Sequence, residues 1–465
     1  MIWSLFVLPL VGLLIWRWKV AGPGIAIGET VLWSLLVPSW LILPIAGIPF
    51  DVTSTIACVG LILYCFHPDA AFRTTLCATD GAVLAMFGVH VLSDTLHEGF
   101  HIGIPCRAYG EWIVPYLAGR VSVHNVEDIR RLRPTACAVA IALGTWAAIE
   151  ATSGINPVNS LIGQRPEDDM PQYVVRWGLK RAEGPTIHPI WFGMVQVLLL
   201  PWTLSAANSS FGGRAPRWQI LAPICNVIGV CFSLSRGPWG MLAMTLYGAI
   251  ACRIPKVRKV MLILAAIALV GAAFLSEAVI RGLHVLTSKP VSEVANLVVD
   301  GERVVLNETT HRVVLFEIYK EAMRRAGLIG FGTDRTTGFP VRVPLGELDP
   351  SATSRVPSVD NAYILMQLRF GLLGVISLIL ILGSAAVLSI VRGCRRNEQL
   401  ALFHAAMGSM FAAIMIVLFA EYIPRDYGFL LFWSLGAVSG FDAYLNVQRS
   451  PTRSKMLRSG FRHRK

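Results

Sequence analysis

Apolar runs close to the length of a membrane-spanning helix recur along the chain. They cover roughly 1–16, 53–66, 81–93, 110–119, 134–152, 190–206, 218–234, 238–251, 259–280, 363–391, 399–420 and 427–446. A bilayer core needs about 20 apolar residues per helical span, and the pattern predicts about twelve or thirteen spans; 53–66, 81–93 and 110–119 are short, which leaves open a re-entrant or interfacial course for one of them. The runs have helical length and lack the strict alternation of barrel strands. Backbone in lipid must satisfy its own hydrogen bonds, so the expected fold is an all-α polytopic membrane protein. Residues 1–16 lack a basic leading region and a small-residue cleavage site, and are read as the first helix. Four regions follow: N-terminal transmembrane helices over 1–280, a large polar loop with an amphipathic helix over 281–361, C-terminal transmembrane helices over 362–446, and a tail over 447–465.

Composition agrees with this class: 54% of the 465 residues are hydrophobic and 15% charged. The net charge of +12 could suggest a nucleic-acid partner, but its distribution points to a lipid bilayer and no nucleic acid. Basic residues gather in short loops (EDIRRLRP, CRIPKVRK, RGCRRNE) and in the tail RSPTRSKMLRSGFRHRK. That is the positive-inside pattern, and it makes the C-terminus cytoplasmic. Working back from it, the loops around 153–189, 235–237, 281–361 and 421–425 fall together on the outer side. The nine cysteines are scattered, with no disulfide framework and no metal-binding spacing.

Several polar segments stand out against the apolar background. In NVIGVCFSLSRGPWGMLAM (226–244), Arg236 sits between two apolar helices, where a charge must be paired, solvated or snorkelling. RAEGPTIHPIWFGM (181–194) ends an outer loop and enters a helix, with Pro189 suited to the first turn. TTHRVVLFEIYKEAMRRAGLIGFGTDR (309–335) reads as an amphipathic helix with Leu315, Ile318, Tyr319 and Ala322 on one face and a Glu321–Arg325 pair. GLIGFG (327–332) should end that helix and permit close backbone approach. SVDNAYILMQLRFGLLG (358–374) puts Asp360 and Asn361 at the mouth of an apolar helix and Arg369 inside it. Asp360 could serve chemistry or simply cap the helix. Arg369, nine residues on, lies on the opposite helix face and needs a different partner, such as Glu421 or a wet cavity. Gly371 and Gly374 suit close helix packing.

Taken in order, these segments resemble the O-antigen ligase and polymerase superfamily of bacterial membrane glycosyltransferases. The shared elements are Ser235-Arg236-Gly237, then Arg312 in a large outer loop, then Gly330-Phe331-Gly332, then Asp360-Asn361-Ala362-Tyr363-Ile364 with Gly371 and Gly374. RAEGPTIHP and YLAGRVSVHNVEDIRRLRP (116–134) are similar to segments of exopolysaccharide polymerases, and the likeness spans about residues 116–446. Ligases carry histidine where this chain has Asp360, so the resemblance favours the polymerase-like branch.

The resemblance implies a GT-C-like architecture with a large periplasmic loop, in the bacterial inner membrane. It implies metal-independent, inverting transfer of a glycan from an undecaprenyl-pyrophosphate-linked oligosaccharide to a glycan acceptor. No cofactor is needed, and a chain-length regulator is a possible partner. Such chemistry needs an acceptor for the hydroxyl proton and positive charge on the departing pyrophosphate. On this reading Asp360, Arg236 and Arg312 are the catalytic candidates, and Arg181, His188, His311, Asn361, Tyr363 and Arg369 the substrate-binding ones.

Three other readings compete. A ligase to lipid A-core would use the same site. A lipid-linked glycan transporter also places charges in helices, although the chain shows no internal repeat. HEGFH (97–101) matches the zinc-protease pattern H-E-x-x-H, which works only if both histidines share one helix.

Overall fold

A computed structural model of the chain describes residues 2–45, 48–67, 76–162, 175–205, 216–260, 295–299, 302–306, 311–337, 341–344, 359–395 and 400–449. Most of the expected helix at 259–280 and most of the basic tail lie outside them.

The elements are, in chain order, helices α1 (Ile2–Ala21) and α2 (Pro23–Ser34), strands β1 (Ile42–Ile45) and β2 (Ile48–Asp51), then α3 (Val52–Cys65), α4 (Ala78–Glu98) and α5 (Gly103–Ala108). A π-helical turn at Tyr109–Ile113 joins α5 to α6 (Val114–Ser122), followed by α7 (Val126–Ser153), α8 (Pro157–Ile162), β3 (Val175–Arg176) and β4 (Leu179–Lys180). Then come α9 (Pro189–Leu204), α10 (Arg217–Phe232), α11 (Arg236–Arg253), β5 (Ala295–Val299) and β6 (Glu302–Leu306). The last are α12 (His311–Ala326), α13 (Thr333–Thr336), α14 (Ala362–Gly393), α15 (Ala401–Val417) and α16 (Arg425–Arg449). The strands form three separate antiparallel hairpins, so the fold is helical with hairpins confined to connections. In the third hairpin Leu297 stands opposite Val304 and Val299 opposite Glu302.

Among the described residues, three helices are long and apolar enough to cross a membrane: Trp3–Ala21, Val126–Ser153 and Ala362–Gly393. Four shorter apolar helices, α3, α9, α10 and α15, pack with them. Large apolar side chains face outward on the peripheral helices, including Leu5 and Leu8 on α1, Ile220 and Ile224 on α10, and Leu380 and Val387 on α14. In water such a surface would be an association liability; against acyl chains it is the expected exterior. Inside, α9 is buried almost throughout, and Trp202 stacks on Trp433 of α16 at 4.8 Å.

Successive long helices alternate in direction between two ends of the bundle. At the upper end, Ser39 N donates to Pro185 O, Ala182 N to Phe232 O, and Ala362 N to Leu418 O and Glu421 O, each at 2.9 Å. At the lower end, the Tyr116 hydroxyl donates to Asp80 at 2.6 Å, and Arg253 reaches Gly393 O at 3.2 Å. The basic residues Arg130, Arg131, Arg217, Arg253, Lys256, Arg258 and Arg395 gather at this lower end.

Helix ends follow local chemistry. Asn125 caps α7 by accepting from Glu127 N and Asp128 N, and Gly154 closes that helix in a left-handed conformation. Gly99, at φ 76°, stops α4 immediately after Glu98. His97 therefore sits in the last turn, its Nδ1 bonded to Ser93 O, while His101 lies beyond the break beside Glu98. The H-E-x-x-H residues do not share a helix, which removes the geometry a zinc-protease motif requires.

Candidate functional site

The site is built at the upper end, and its frame is a broken helix. α14 turns at Gly371, where φ is 63° and ψ −164°. Such a break strands carbonyls on one side and N–H groups on the other, and in an apolar setting they must be satisfied. The glycine loop after α12 does this with its own backbone. Phe331 N donates to Leu368 O at 2.7 Å and Gly332 N to Arg369 O at 3.0 Å. From the other half, Leu372 N donates to Gly327 O at 3.0 Å and Leu373 N to Leu328 O at 3.2 Å. The close approach demands glycine on both sides. A Cβ on Gly330 would lie 2.3 Å from Arg369 O, and one on Gly371 would lie 2.2 Å from Leu328 C. GLIGFG thus ends its helix and allows close approach as the spacing predicts, and its partner is the break itself. Gly374 differs from expectation: a Cβ there would meet Phe370 of its own bent helix at 2.5 Å, not a second helix.

α12 presents the expected face. Leu315, Ile318, Tyr319 and Ala322 are buried together against Ile364, Leu365 and Leu368 of α14. Glu321 accepts from Arg325 at 2.7 Å and from Arg324 at 2.8 Å. Those two hydrogen bonds hold its carboxyl down to about 2. His311 and Arg312 form the first turn of α12, but their side chains lie outside the described ones.

The second half of the site is the turn between α10 and α11. Leu234 takes φ 48°, an uncommon conformation for a residue with a side chain. Two arginines hold the turn. Arg176 donates to Leu234 O at 2.8 Å; buried Arg181 donates to Ser235 Oγ at 2.7 Å and to Ser233 O at 3.3 Å. Arg236 follows immediately and is exposed. Arg181 is therefore engaged with the turn rather than projecting from the surface. His188 caps α9, its Nδ1 accepting from Ile190 N at 3.2 Å, and Pro189 occupies the first helical position as expected.

Asp360, Asn361 and Tyr363 stand at the start of α14. Asn361, not Asp360, caps α14: its Oδ1 accepts from Tyr363 N and Ile364 N, both at 3.0 Å, while its Nδ2 donates to Phe419 O at 2.9 Å. The capping role suggested for Asp360 belongs to its neighbour. Tyr363 donates to Met415 O at 2.7 Å. Tyr422, in the loop after α15, feels the charges of both Asp360 and Arg369; burial, with Glu421, Asp360 and Asp426 adding to it, pushes its phenol well above the ordinary range. Trp191 links the segments, packing edge-on against Tyr422 at 5.7 Å and donating to Glu421 at 3.3 Å. Arg369 donates from Nε to Thr336 Oγ1 at 3.1 Å, with Glu111 and Asp94 in electrostatic reach. Arg425 lines a small cavity of about 30 Å³ with Ser34, Asp51 and Asp426.

Sequence reasoning missed a polar network beneath the helix break. His90 is fully buried in α4 and stacks on Phe370 at 4.6 Å. Trp112, in the π-helical turn, donates to His90 Nδ1 at 2.9 Å, and an indole can only donate. This puts the imidazole proton on Nε2, facing Asp94 Oδ2 at 3.1 Å. Asp94 also accepts from Thr333 N at 2.7 Å and lies 3.6 Å from Arg107. Ser93 donates to Arg369 O at 2.8 Å. The network thereby fixes both the glycine loop and the carbonyl end of the broken helix. Its signal was present: His90 and Asp94 stand at i,i+4 in an otherwise apolar segment, where a charge is costly without a partner.

The upper end thus carries the Asp360 carboxylate beside the Asn361 cap, the exposed Arg236 on its clamped turn, and Arg369 bonded to Thr336. No protein-family model matches the chain, and no curated protein matches it.

Proposed function

We propose that the chain is a bacterial inner-membrane glycosyltransferase that polymerises glycan carried on undecaprenyl pyrophosphate. On this reading the helices cross about twelve or thirteen times, the basic lower end is cytoplasmic by the positive-inside rule, and the site faces the periplasm. The observation that carries the proposal is the division of labour at the start of α14: Asn361 takes the cap, while the charges of Asp360 and Arg369 both act on Tyr422. A short polar side chain before a helix normally serves the helix, and here that need is already met.

The acceptor hydroxyl attacks the anomeric carbon of the donor sugar and passes its proton to the Asp360 carboxylate. The bond between that carbon and the pyrophosphate oxygen breaks with inversion, and undecaprenyl pyrophosphate leaves with the electron pair. Arg236, Arg312 and Arg369 supply the positive charge that meets it. Arg181 acts one step removed, holding the turn that carries Arg236. His188 caps α9, and His311 adds a polar group at the start of α12. All the groups this reading needs are the chain's own.

The test is transfer by purified protein given undecaprenyl-pyrophosphate-linked oligosaccharide, with products resolved by size, with and without lipid A-core, and alongside Asp360→Asn. A ladder made from donor alone and lost in Asp360→Asn is the expected result. A single adduct that forms only with lipid A-core would make the protein a ligase. Full activity in Asp360→Asn would remove the carboxylate from the mechanism.

A further inference from the structure

Beside the Arg236 turn stands a feature the transfer chemistry does not use. β3 and β4 form a hairpin whose two-residue tip is Trp177-Gly178, with Val175 opposite Lys180 and Arg176 opposite Leu179. Both tip residues have positive φ, 53° at Trp177 and 77° at Gly178. Such tight hairpins favour asparagine or aspartate followed by glycine, because a bulky side chain resists that backbone region. Tryptophan at the first position costs stability and gains no burial there, since Trp177 is 71% exposed.

The hairpin is nonetheless held firmly. Arg176 donates to Leu234 O, Lys180 lies 3.4 Å from buried Glu150, and Ala182 N donates to Phe232 O. Arg181, the next residue, completes the anchor on Ser233 and Ser235. One face of the Trp177 ring rests on Trp239, with centroids 5.7 Å apart and planes tilted by 32°. Trp239 is itself fixed by donating to Val230 O at 2.8 Å. It lies three residues after Arg236 on α11, hence on the same helix face. A rigid aromatic plane with one open side thus stands next to an exposed guanidinium.

We propose that Trp177, backed by Trp239, is a sugar-stacking subsite that seats a pyranose ring of the glycan while Arg236 meets the anionic group attached to it. This rests on the glycosyltransferase reading and extends it by naming where a ring sits. A pyranose has one face of C–H groups that packs on an indole and an edge of hydroxyls left for water and polar side chains. The chemistry that fits this plane beside a cation is therefore a saccharide joined to a phosphate. Acyl chains would match the ring but not the flanking Arg176, Lys180 and Arg236. A snug fit also explains why the ring is presented on a strained, well-anchored tip rather than on a pliable loop, because preorganisation reduces the ordering cost of binding.

The test uses the full chain in lipid nanodiscs. The probe is the oligosaccharide released by mild acid from the surface polysaccharide of the source cell, with binding followed by calorimetry. Trp177→Ala should weaken binding about tenfold, and Trp177→Phe should restore most of it, as a lost aromatic contact predicts. In parallel, the fluorescence difference between wild type and Trp177→Phe should be insensitive to lipids brominated on the acyl chains. Equal binding by wild type and Trp177→Ala, no binding by wild type, or quenching of the Trp177 signal by brominated lipid would each overturn the proposal; the last would make Trp177 a membrane anchor. Failure of the broader reading looks different, since wild-type protein would bind the saccharide yet make no polymer from the lipid-linked donor. Trp239→Phe, which keeps a ring beneath Trp177, guards against misreading a folding defect as lost affinity.

Discussion

Two turns frame the candidate site, and they are held by opposite means. The glycine loop 327–332 is locked into the break of α14 by backbone bonding to backbone, with no room for a Cβ at Gly330 or Gly371. The turn at 233–236 is held from outside by the side chains of Arg176 and Arg181. The first device is indifferent to charge and intolerant of any added atom. The second tolerates bulk, since Leu234 itself sits at positive φ, and depends on two guanidinium groups. A backbone interlock sets a frame, whereas a side-chain clamp holds a residue, here Arg236, in a chosen pose.

The sharpest way to break this comparison is Gly371→Ala. Its Cβ would collide with backbone that has nowhere to move, at a residue whose φ already disfavours a side chain. The expected loss is at least about 3 kcal/mol, seen as a steep fall in thermal stability by size-exclusion of the solubilised protein. Unfolding at the wild-type temperature would show that the interlock is not rigid. Arg181→Ala comes next. It removes the guanidinium donor to Ser235 Oγ and one of the two donors to Ser233 O, which keeps the Ser235 hydroxyl, for about 2–3 kcal/mol. Arg181→Lys should recover only part of that, because one ammonium cannot reproduce the two-point contact. If lysine recovers all of it, the clamp is mere charge.

A smaller pair of substitutions separates the roles of adjacent residues. Asn361→Ala should cost about 1–2 kcal/mol through the lost cap and leave chemistry largely intact. Asp360→Asn should cost less stability than Asn361→Ala and reduce transfer by about 10²-fold or more. Matching stability losses in the two variants would undo the division of labour at α14. The smallest effect is expected at Glu321→Gln. This pair is solvent-exposed, so the thermal midpoint at neutral pH should not move measurably. Its carboxyl is held lower in the folded protein than in the unfolded chain, so any contribution is complete above the ordinary carboxylate range and fades as pH falls toward about 2. A contribution that grew on acidification would contradict that sign.

Much of this could be read in the chain because it depends on local rules. Helical apolar periodicity places α9, α10, α11, α14, α15 and α16 near their observed bounds, since a segment that cannot find water for its backbone must bond it internally; α7 instead starts at Val126, so EDIRRLRP, expected as a loop, forms its first turns behind the Asn125 cap. The buried stripe of α12, its Glu321–Arg325 pair, Pro189 at a helix start and the glycine stop after α12 follow from spacing alone. Asp360 was the cap candidate read from the chain, yet its neighbour Asn361 takes that role. One-dimensional reasoning could not choose between them, because the choice depends on which side chain the 418–421 segment approaches.

What only the tertiary structure decided is pairing across distance. That GLIGFG fills a break in a helix beginning 30 residues later, that His90 and Asp94 lie beneath that break, and that Arg181 grips a turn more than 50 residues away all arise from packing. The amino-acid order determined the class of protein, its helices and the polar residues that had to find partners, because the costs of exposed backbone and unpaired charge in an apolar setting are local. Which partner each one found was decided by the three-dimensional arrangement, because a hydrogen bond needs its two atoms within about 3 Å and no periodicity along the chain specifies that.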